Sequence, residues 1–395
     1  MTPIEMIETD EDRERDATLE AIALRLVRLE TRLVTLMGHL GMKVPSPRPK
    51  DRPEPGKETG PVLAKIGVIG GGNIGGVLVQ ELARRRLART VAVTDPAPFV
   101  NPNDPPEKQA ATLKQSVSKG KALDIAEALP LLPSDVTLLA GREYDVLEGC
   151  DLVINTAGVP RKLRPDGTFP SREELLSINL KVTGEVADAI RRYCPQAMII
   201  SIANPLDAIV YTLYRRLGTP KSRIMGMAGV LDSARYRWFI AEAAGVSVEN
   251  VEAMVLGGHG DTMVPVRSCC RIAGMPVEMF VPPDRLAAIE DRTRKAGGEV
   301  VGLLGSGSAF VSPAISALEM AEAIVYDKRK ILAVSALLDG EYGIEGLFVG
   351  VPAMLGKDGI ERIIEVDLTA EERAALMLSA DGVRATFEEV DRMLG

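Results

Sequence analysis

The sequence contains few of the residues that bind transition metals or form disulfides. Only two histidines and four cysteines occur among 395 residues. The cysteines show no C-x-x-C spacing and have no histidine at ligand spacing, which argues against a zinc site and against a disulfide framework. We therefore expect reduced cysteines and no bound metal.

Basic residues and long apolar runs are scarce as well. The formal net charge is −8, whereas nucleic-acid binding needs an extended basic face. No uncharged apolar run reaches the roughly 18 residues that a membrane helix needs, and the N-terminus lacks the basic start and apolar run of a secretory signal. We expect a soluble, cytoplasmic globular protein with no nucleic-acid or membrane partner.

The first 43 residues carry the apolar spacing of a coiled-coil helix. Leucine and isoleucine recur in steps of three and four, at positions 19, 22, 26, 29, 33, 36 and 40, and this spacing predicts a helix that needs a partner. We predict a homo-oligomer in which residues 17–41 self-associate; an amphipathic helix packed on the chain's own globular part is the alternative. The Pro-rich, charged residues 44–60 are predicted to form an extended linker.

From residue 61 onward, short apolar strands alternate with helices. Strands are predicted over 62–70, 91–95, 136–139, 151–155 and 198–202, with helices over 73–86 and 173–193. This alternation is typical of an α/β fold, a Rossmann doubly wound parallel sheet, over residues 61–205. Residues 206–395 are predicted to form a mixed α+β catalytic domain, with helices near 232–244, 284–304, 312–325 and 370–394 and strands near 251–256, 263–266, 330–336 and 347–352.

A glycine-rich turn follows the first predicted strand and opens the first predicted helix. Its G-x-G-x-x-G residues are Gly70, Gly71, Gly72, Asn73, Ile74 and Gly75. Such a turn lets a pyrophosphate approach backbone N–H groups at a helix N-terminus. Asp95 stands twenty residues after Gly75, where a carboxylate accepts hydrogen bonds from an adenosine ribose and repels a 2′-phosphate. Together the two signals predict NAD as the cofactor.

His259 is the best candidate for acid/base chemistry. It lies in the segment GGHGD (257–261), whereas the other histidine, His39, has no partner motif near it. Histidine is the side chain that titrates near neutral pH, so it is suited to taking and giving a proton. An Asp-x-x-Arg pair, Asp232 and Arg235, precedes it in the chain.

Eight segments, in order along the chain, carry a resemblance to a known family. They are IGGGNIGG (69–76), GKALDI (120–125), TAGVPRK (156–162), SREELLSIN (171–179), ANPLD (203–207), GMAGVLDSAR (226–235), LGGHGDTMVP (256–265) and GLFVGVP (346–352). From about residue 62 to the C-terminus, the chain resembles the malate dehydrogenases of the lactate/malate dehydrogenase superfamily, in its lactate-dehydrogenase-like branch. The resemblance implies an NAD-dependent enzyme that oxidises a 2-hydroxy acid.

The resemblance also implies a role for each motif residue. His259 is implied to be the acid/base residue, and Asp232 to hold its imidazole and stabilise the imidazolium. Arg235 is implied to bind the C1 carboxylate bidentately, and Arg172 to polarise the C2 carbonyl when a loop closes. Contacts near the cofactor and the reacting oxygen are implied for Asn179, Ile202 and Asn204.

Arg161 stands where the family reads the rest of the substrate. An arginine there implies a second carboxylate, and therefore malate and oxaloacetate. The segment between Arg161 and Arg172 is longer than is common in the family, so Arg164 is a rival for the distal carboxylate. A dehydrogenase of another 2-hydroxy acid such as lactate, and an inactive NAD-binding assembly scaffold, are the alternative functions.

A long connection follows Asp95. Residues 96–119 contain prolines at 96, 98, 102, 105 and 106, a composition typical of a solvated loop. We predict such a loop, with covering of the adenine or contact with a partner as its two conceivable roles.

Overall fold

The computed structural model of the protein describes residues 63–95, 105–159, 171–305 and 307–394. The predicted coiled coil, the Pro-rich linker, Arg161, Arg164 and the first part of the 96–119 connection lie outside these residues.

The described residues form twelve strands and nine α-helices. The strands are β1 (Lys65–Ile69), β2 (Thr90–Thr94), β3 (Thr137–Gly141), β4 (Leu152–Asn155), β5 (Met198–Ser201), β6 (Ile224–Gly226), β7 (Val251–Leu256), β8 (Val264–Ile272), β9 (Met275–Pro276), β10 (Lys330–Asp339), β11 (Glu345–Gly356) and β12 (Gly359–Ile363). The helices are α1 (Asn73–Arg84), α2 (Pro106–Lys114), α3 (Val117–Ala128), α4 (Arg172–Tyr193), α5 (Leu206–Leu217), α6 (Gly229–Ala244), α7 (Pro283–Leu304), α8 (Val311–Val325) and α9 (Ala370–Leu394).

Six parallel strands form one side of a nine-stranded sheet, in the order β3-β2-β1-β4-β5-β6 with β3 at the edge. This is the doubly wound order, so the predicted Rossmann fold is confirmed. All residues of β4 and β5 are buried, as expected for parallel strands covered on both faces. β10, β11 and β12 extend the sheet beyond β6 with antiparallel pairing.

The strand order reverses between β1 and β4, and this point positions the first half of the site. Gly70, Asp95 and Thr156 directly follow β1, β2 and β4 respectively. Because the strands are parallel, these three residues lie at the same edge of the sheet. Ligands of open α/β sheets bind at such a switch point, outside the carboxyl ends of the strands.

A second, antiparallel sheet positions the other half of the site. Its order is β7-β8-β9, and it shares a separate apolar core with α6 and α7, built around Tyr236, Ile240, Val255, Cys270 and Leu286. Packing of α6 on β7 brings Asp-x-x-Arg on the helix towards the His259 segment, which follows β7.

The connection after Asp95 is more regular than predicted. α2 begins at Pro106, where the missing N–H of proline costs no helical hydrogen bond. α3 is capped by Ser116, whose Oγ accepts a hydrogen bond from the Lys119 N–H. The prediction of a solvated loop over 96–119 was therefore wrong for residues 106–114 and 117–119, although Pro106, Glu107, Lys108 and Ala110 of α2 are exposed.

Several elements after Pro205 were not predicted. α5 buries Leu206, Ile209 and Leu213 and ends at Gly218, a left-handed residue that stops the helix. β6 and β9 have only three and two residues and give little pattern to detect, and β12 is mostly exposed or half-buried and lacks an apolar run. β8 continues to Ile272, well beyond the predicted 263–266. Its second part was not predicted because it carries polar residues on a half-exposed face. Among the described helices none is sufficiently long and apolar to cross a membrane.

Candidate active site

His259 and Asp232 form a direct pair. Asp232 Oδ2 lies 2.8 Å from Nδ1 of His259, and the Asp232 side chain is only 2% exposed. Asp232 lies in the first turn of α6, whereas His259 follows β7, so packing of α6 on β7 makes the contact. Because a carboxylate can only accept, it holds the proton on Nδ1 and leaves Nε2 for proton exchange.

Arg235 completes the cluster from the same face of α6. Three residues separate it from Asp232, and its Nη1 lies 3.2 Å from Asp232 Oδ1. A β-carbon at Gly297 of α7 would lie 3.9 Å from the guanidinium nitrogens. The absent side chain of Gly297 leaves room beside Arg235, and no sequence signal had indicated this contribution.

The charges around His259 set its protonation. Burial by itself disfavours the imidazolium, but the charge and hydrogen bond of Asp232, together with the charge of Asp207, raise the pKa of His259 above its ordinary value. The positive charge of Arg235 acts in the opposite sense. The site therefore favours the imidazolium of His259 more than free solution does.

Three contacts hold the glycine-rich segment that carries His259. Gly257 exchanges two backbone hydrogen bonds of 2.9 Å with Gly350 of β11. The Gly258 N–H donates to Ser379 Oγ of α9 at 2.9 Å, and the His259 N–H donates to Asp207 Oδ2 of α5 at 3.0 Å. Neither Asp207 nor Ser379 was predicted to contact His259, because each is far from it in the chain.

A cleft of about 500 Å³ borders this segment. Its wall includes His259 and Asp207, and α9 forms another part of it. The lining residues of α9 are Gly382, Val383, Ala385, Thr386 and Glu389. The His259 segment therefore borders a cleft whose other walls come from α5 and α9.

A second cleft, of about 490 Å³, lies at the switch point of the large sheet. Five of the predicted cofactor residues line it, namely Gly70, Gly72, Asn73, Ile74 and Asp95. No side chain caps the N-terminus of α1, so its first N–H groups are available to an anion. The volume lies in the range of about 300–1,000 Å³ that is usual for cofactor sites, and the uncapped helix and the carboxylate of Asp95 fit NAD.

Two glycines of the turn are required by its geometry. Gly70 has φ of +103°, a left-handed conformation that side chains rarely adopt. A β-carbon at Gly75 would clash with the carbonyl oxygen of Gly70. At Gly72 a β-carbon would meet nothing within 4 Å, so this glycine keeps open the space in front of the helix.

Asp95 is accompanied by a cation that the sequence analysis overlooked. Burial raises the pKa of Asp95, while a hydrogen bond from the Gly71 N–H and the charge of Lys121 act against this rise. Lys121 Nζ also donates to the carbonyl of Gly72. Lys121 therefore stabilises the glycine turn by a hydrogen bond and lies near Asp95, which was predicted to bind the ribose.

The side chain of Asn179 contacts the backbone of Asn204. The Asn179 amide donates to the carbonyls of Val159 and Asn204, both at 3.1 Å, and its Oδ1 accepts from the Val159 N–H at 2.7 Å. Val159 lines the cofactor cleft, so Asn179 braces two loops beside it. Asn204 precedes Pro205 in a cis peptide bond, and Ile202 is buried.

Arg172 is the first residue of α4, after the N-cap Ser171. Ser171 Oγ accepts a hydrogen bond from the Glu174 N–H at 3.0 Å, which fixes where the helix begins. Among the described residues, no group of three or more acidic, histidine or cysteine side chains is arranged to hold a metal ion.

Comparison with known proteins agrees with this arrangement. Residues 64–226 match the family model of the lactate/malate dehydrogenase NAD binding domain, and residues 229–393 match that of the lactate/malate dehydrogenase alpha/beta C-terminal domain. The chain belongs to the lactate/malate dehydrogenase family. As a member of this family it is an NAD-dependent oxidoreductase.

Relatives within the family cover most of the chain. Malate dehydrogenase 1 of Anaeromyxobacter dehalogenans is 45% identical over 327 residues, which are 82% of this chain and 97% of that protein. The malate dehydrogenase of Xanthobacter autotrophicus is 46% identical over 329 residues, 82% of this chain and 95% of that protein.

Solved structures from both branches of the family resemble the fold. The malate dehydrogenase from Salinibacter ruber has a TM-score of 0.74 at 39% identity, covering 83% of this chain and 98% of that chain. The lactate dehydrogenase from Cryptosporidium parvum, complexed with lactic acid and NAD, also has a TM-score of 0.74, at 35% identity with the same coverage. The family fold is therefore common to both activities.

Proposed function

We propose that this protein is an NAD-dependent malate dehydrogenase that interconverts (S)-malate and oxaloacetate. The observation that carries the proposal is the 2.8 Å contact between His259 Nδ1 and Asp232 Oδ2, with Arg235 on the same carboxylate. The relatives named malate dehydrogenase, at 45–46% identity, support malate as the substrate.

In this proposal the chain binds the substrate and moves one proton. Arg235 binds the C1 carboxylate, and His259 removes the hydroxyl proton at Nε2 while Asp232 stabilises the resulting imidazolium. Arg172 polarises the C2 oxygen, and Asn204 lies near the reacting oxygen. NAD, when bound, accepts the hydride from C2. The cofactor residues Gly70 to Gly75 and Asp95 orient it, with Asn179 and Ile202 supporting the adjacent loops.

Selectivity for a dicarboxylate is assigned to Arg161, with Arg164 as the rival. Both arginines lie outside the described residues. If Arg161 binds the distal carboxylate, Arg161→Gln will lower kcat/KM for oxaloacetate by about 10- to 100-fold, the loss expected for a charged hydrogen bond. Kinetics with oxaloacetate and pyruvate measure this change, and Arg164→Gln is the matched control. A loss confined to Arg164→Gln would transfer the role to that residue.

The alternative function with a specific observation in its favour is a lactate dehydrogenase. The lactate dehydrogenase structure from Cryptosporidium parvum matches the fold as closely as the Salinibacter ruber malate dehydrogenase does. An inactive scaffold is disfavoured because the chain retains His259, Asp232 and Arg235 in contact.

Steady-state oxidation of NADH with oxaloacetate and with pyruvate tests the proposal. We expect a strong preference for oxaloacetate, and a fall of about 100- to 10,000-fold in kcat for His259→Ala, the contribution of a positioned acid/base. A preference for pyruvate would favour the lactate alternative, and turnover at background level with both substrates would favour the scaffold.

We also propose a homo-oligomer in which residues 17–41 self-associate as a coiled coil. The proposed organisation is a helix over 1–43, a linker over 44–60, an NAD-binding domain over 61–205 and a catalytic domain over 206–395. The heptad spacing of leucine and isoleucine supports the helix. A reducing, cytoplasmic compartment agrees with four free cysteines.

A further inference from the structure

We propose that Asp207 is a positioning residue that holds the backbone of His259 and adds a second negative charge near its imidazole. The inference rests on the proposed role of His259 in proton transfer. Asp207 lies in the first turn of α5, three residues after Asn204. In this role it acts on the reaction only through His259.

Both carboxylate oxygens of Asp207 are used as acceptors. Oδ2 accepts from the His259 N–H at 3.0 Å, and Oδ1 accepts from Ser335 Oγ at 3.0 Å. Ser335 lies on β10 and is fully buried. Through the Asp207 side chain, α5 and strand β10 of the nine-stranded sheet are linked by hydrogen bonds to the backbone of His259. Burial raises the pKa of Asp207, while the hydrogen bonds from the His259 N–H and Ser335 and the charge of His259 act against this rise and favour the ionised carboxylate.

The segment needs such a tie because its own backbone restrains it weakly. Glycines occupy positions 257, 258 and 260, and glycine loses more conformational freedom on folding than other residues. Gly350 and Ser379 hold Gly257 and Gly258. Among these three ties, Asp207 is the one that bonds His259 itself and the one that carries a charge.

Two carboxylates consequently act on one imidazole. Asp232 and Arg235 face His259 from α6, and Asp207 faces it from α5. Asp261 and Glu389 line the cleft that borders the His259 segment. The charge of Asp207 raises the pKa of His259, in addition to the larger effect of Asp232. Asp207 is therefore expected to extend the pH range in which His259 can donate a proton.

Two variants of the full-length chain separate the effect of the Asp207 charge from that of its hydrogen bond to His259. Asp207→Asn keeps the shape and removes the charge; its amide oxygen can still accept from the His259 N–H, while its NH2 group can donate to Ser335 Oγ. Asp207→Ala removes both. Ser335→Ala is the matched control, because it removes the other partner of the same carboxylate and leaves the bond to His259.

The first measurement is an NMR titration of the His259 imidazole. The chain has only two histidines, so His39→Gln assigns the two signals. We expect the pKa of His259 to fall in Asp207→Asn and to stay at its original value in Ser335→Ala. This readout does not depend on turnover, so it remains decisive even if the protein does not act on malate.

The second measurement is kcat for oxaloacetate reduction over a range of pH. We expect Asp207→Asn to shift the alkaline limit to lower pH, and Asp207→Ala to lose about 10- to 100-fold in kcat, as for a slightly misplaced catalytic group. NADH affinity, measured by fluorescence, should not change. An unchanged His259 titration in Asp207→Asn, or a kcat of Asp207→Ala equal to that of Ser335→Ala, would overturn the proposal.

Discussion

The pair formed by His259 and Asp232 makes the two directions of the proposed reaction depend on pH in opposite senses. The pKa of His259 is raised in the folded protein. Reduction of oxaloacetate uses the imidazolium, which is present below this pKa and is lost as the pH rises through it. Oxidation of malate uses the neutral imidazole and is lost as the pH falls through the same pKa.

Replacement of Asp232 by asparagine should reveal this dependence. Asp232→Asn removes the charge that stabilises the imidazolium, so the alkaline limit of oxaloacetate reduction should move to lower pH. The loss of the correct tautomer should also lower kcat by about 100- to 10,000-fold. Measurement of kcat against pH checks both effects.

A suitable control is Asp188→Asn, which removes a charge from an exposed position on α4. We expect it to leave both kcat and the pH profile unchanged. If Asp232→Asn lost activity without any movement of the pH limit, the carboxylate would orient the ring and do nothing to its charge.

At the scale of the element, the turn between β1 and α1 depends on two glycines in different ways. Gly75 allows close packing of the helix on the preceding strand, whereas Gly72 borders the open cleft. The same methyl group added at these two positions should therefore have different consequences.

We expect Gly75→Ala to lower the free energy of unfolding by about 1–3 kcal/mol, as overpacking does, and to weaken NADH binding. Gly72→Ala should change the free energy of unfolding by no more than about 0.5 kcal/mol, yet weaken NADH binding because its methyl group enters the cleft. Urea unfolding and NADH fluorescence titrations give the two quantities. Equal destabilisation by both substitutions would contradict the geometry of the turn.

The element that carries His259 shows why a helix distant in sequence matters to the site. Ser379 of α9 accepts from the Gly258 N–H, and its Oγ also lies 3.1 Å from Thr262 Oγ1. The C-terminal helix thus secures both sides of the His259 segment. Its amphipathic pattern predicted the helix but not this contact, which depends on how α9 packs.

At the scale of the whole molecule, two sheets supply the two halves of the site. The large sheet places the glycine turn and Asp95 at its switch point, and the small sheet presents His259 to Asp232 and Arg235 of α6. The proposed role of the N-terminal segment, residues 17–41, is association of copies.

Removal of residues 1–60 tests that role. The family models match residues 64–393, so the shortened chain retains both matched domains and should keep its kcat. We expect it to form a smaller oligomer than the full-length protein, since the proposed coiled coil is lost. Sedimentation velocity of both proteins measures the difference. An unchanged oligomer size would remove the need for a coiled coil.

Local pattern and spacing were sufficient to predict the central strands, the glycine turn and the place of Asp95 after the second strand, whereas the grouping of His259, Asp232 and Arg235 was implied by the resemblance to the family. These features depend on residues close together in the chain, or on motifs whose chemistry is specific. Helical periodicity likewise predicted α4, α7 and α9 to within a residue or two. The two helices over 106–114 and 117–128 were not predicted, and for the first of them the run of prolines before it obscured the helix start.

Only the tertiary structure decided which distant residues meet. Asp207 lies 52 residues from His259 and 128 from Ser335, and Lys121 lies 49 residues from Gly72. No local propensity encodes such contacts, because they follow from strand order and from the packing of helices on the sheets. The sequence by itself thus determined the chemistry available to this protein, and the packing of its sheets and helices decided which groups support that chemistry.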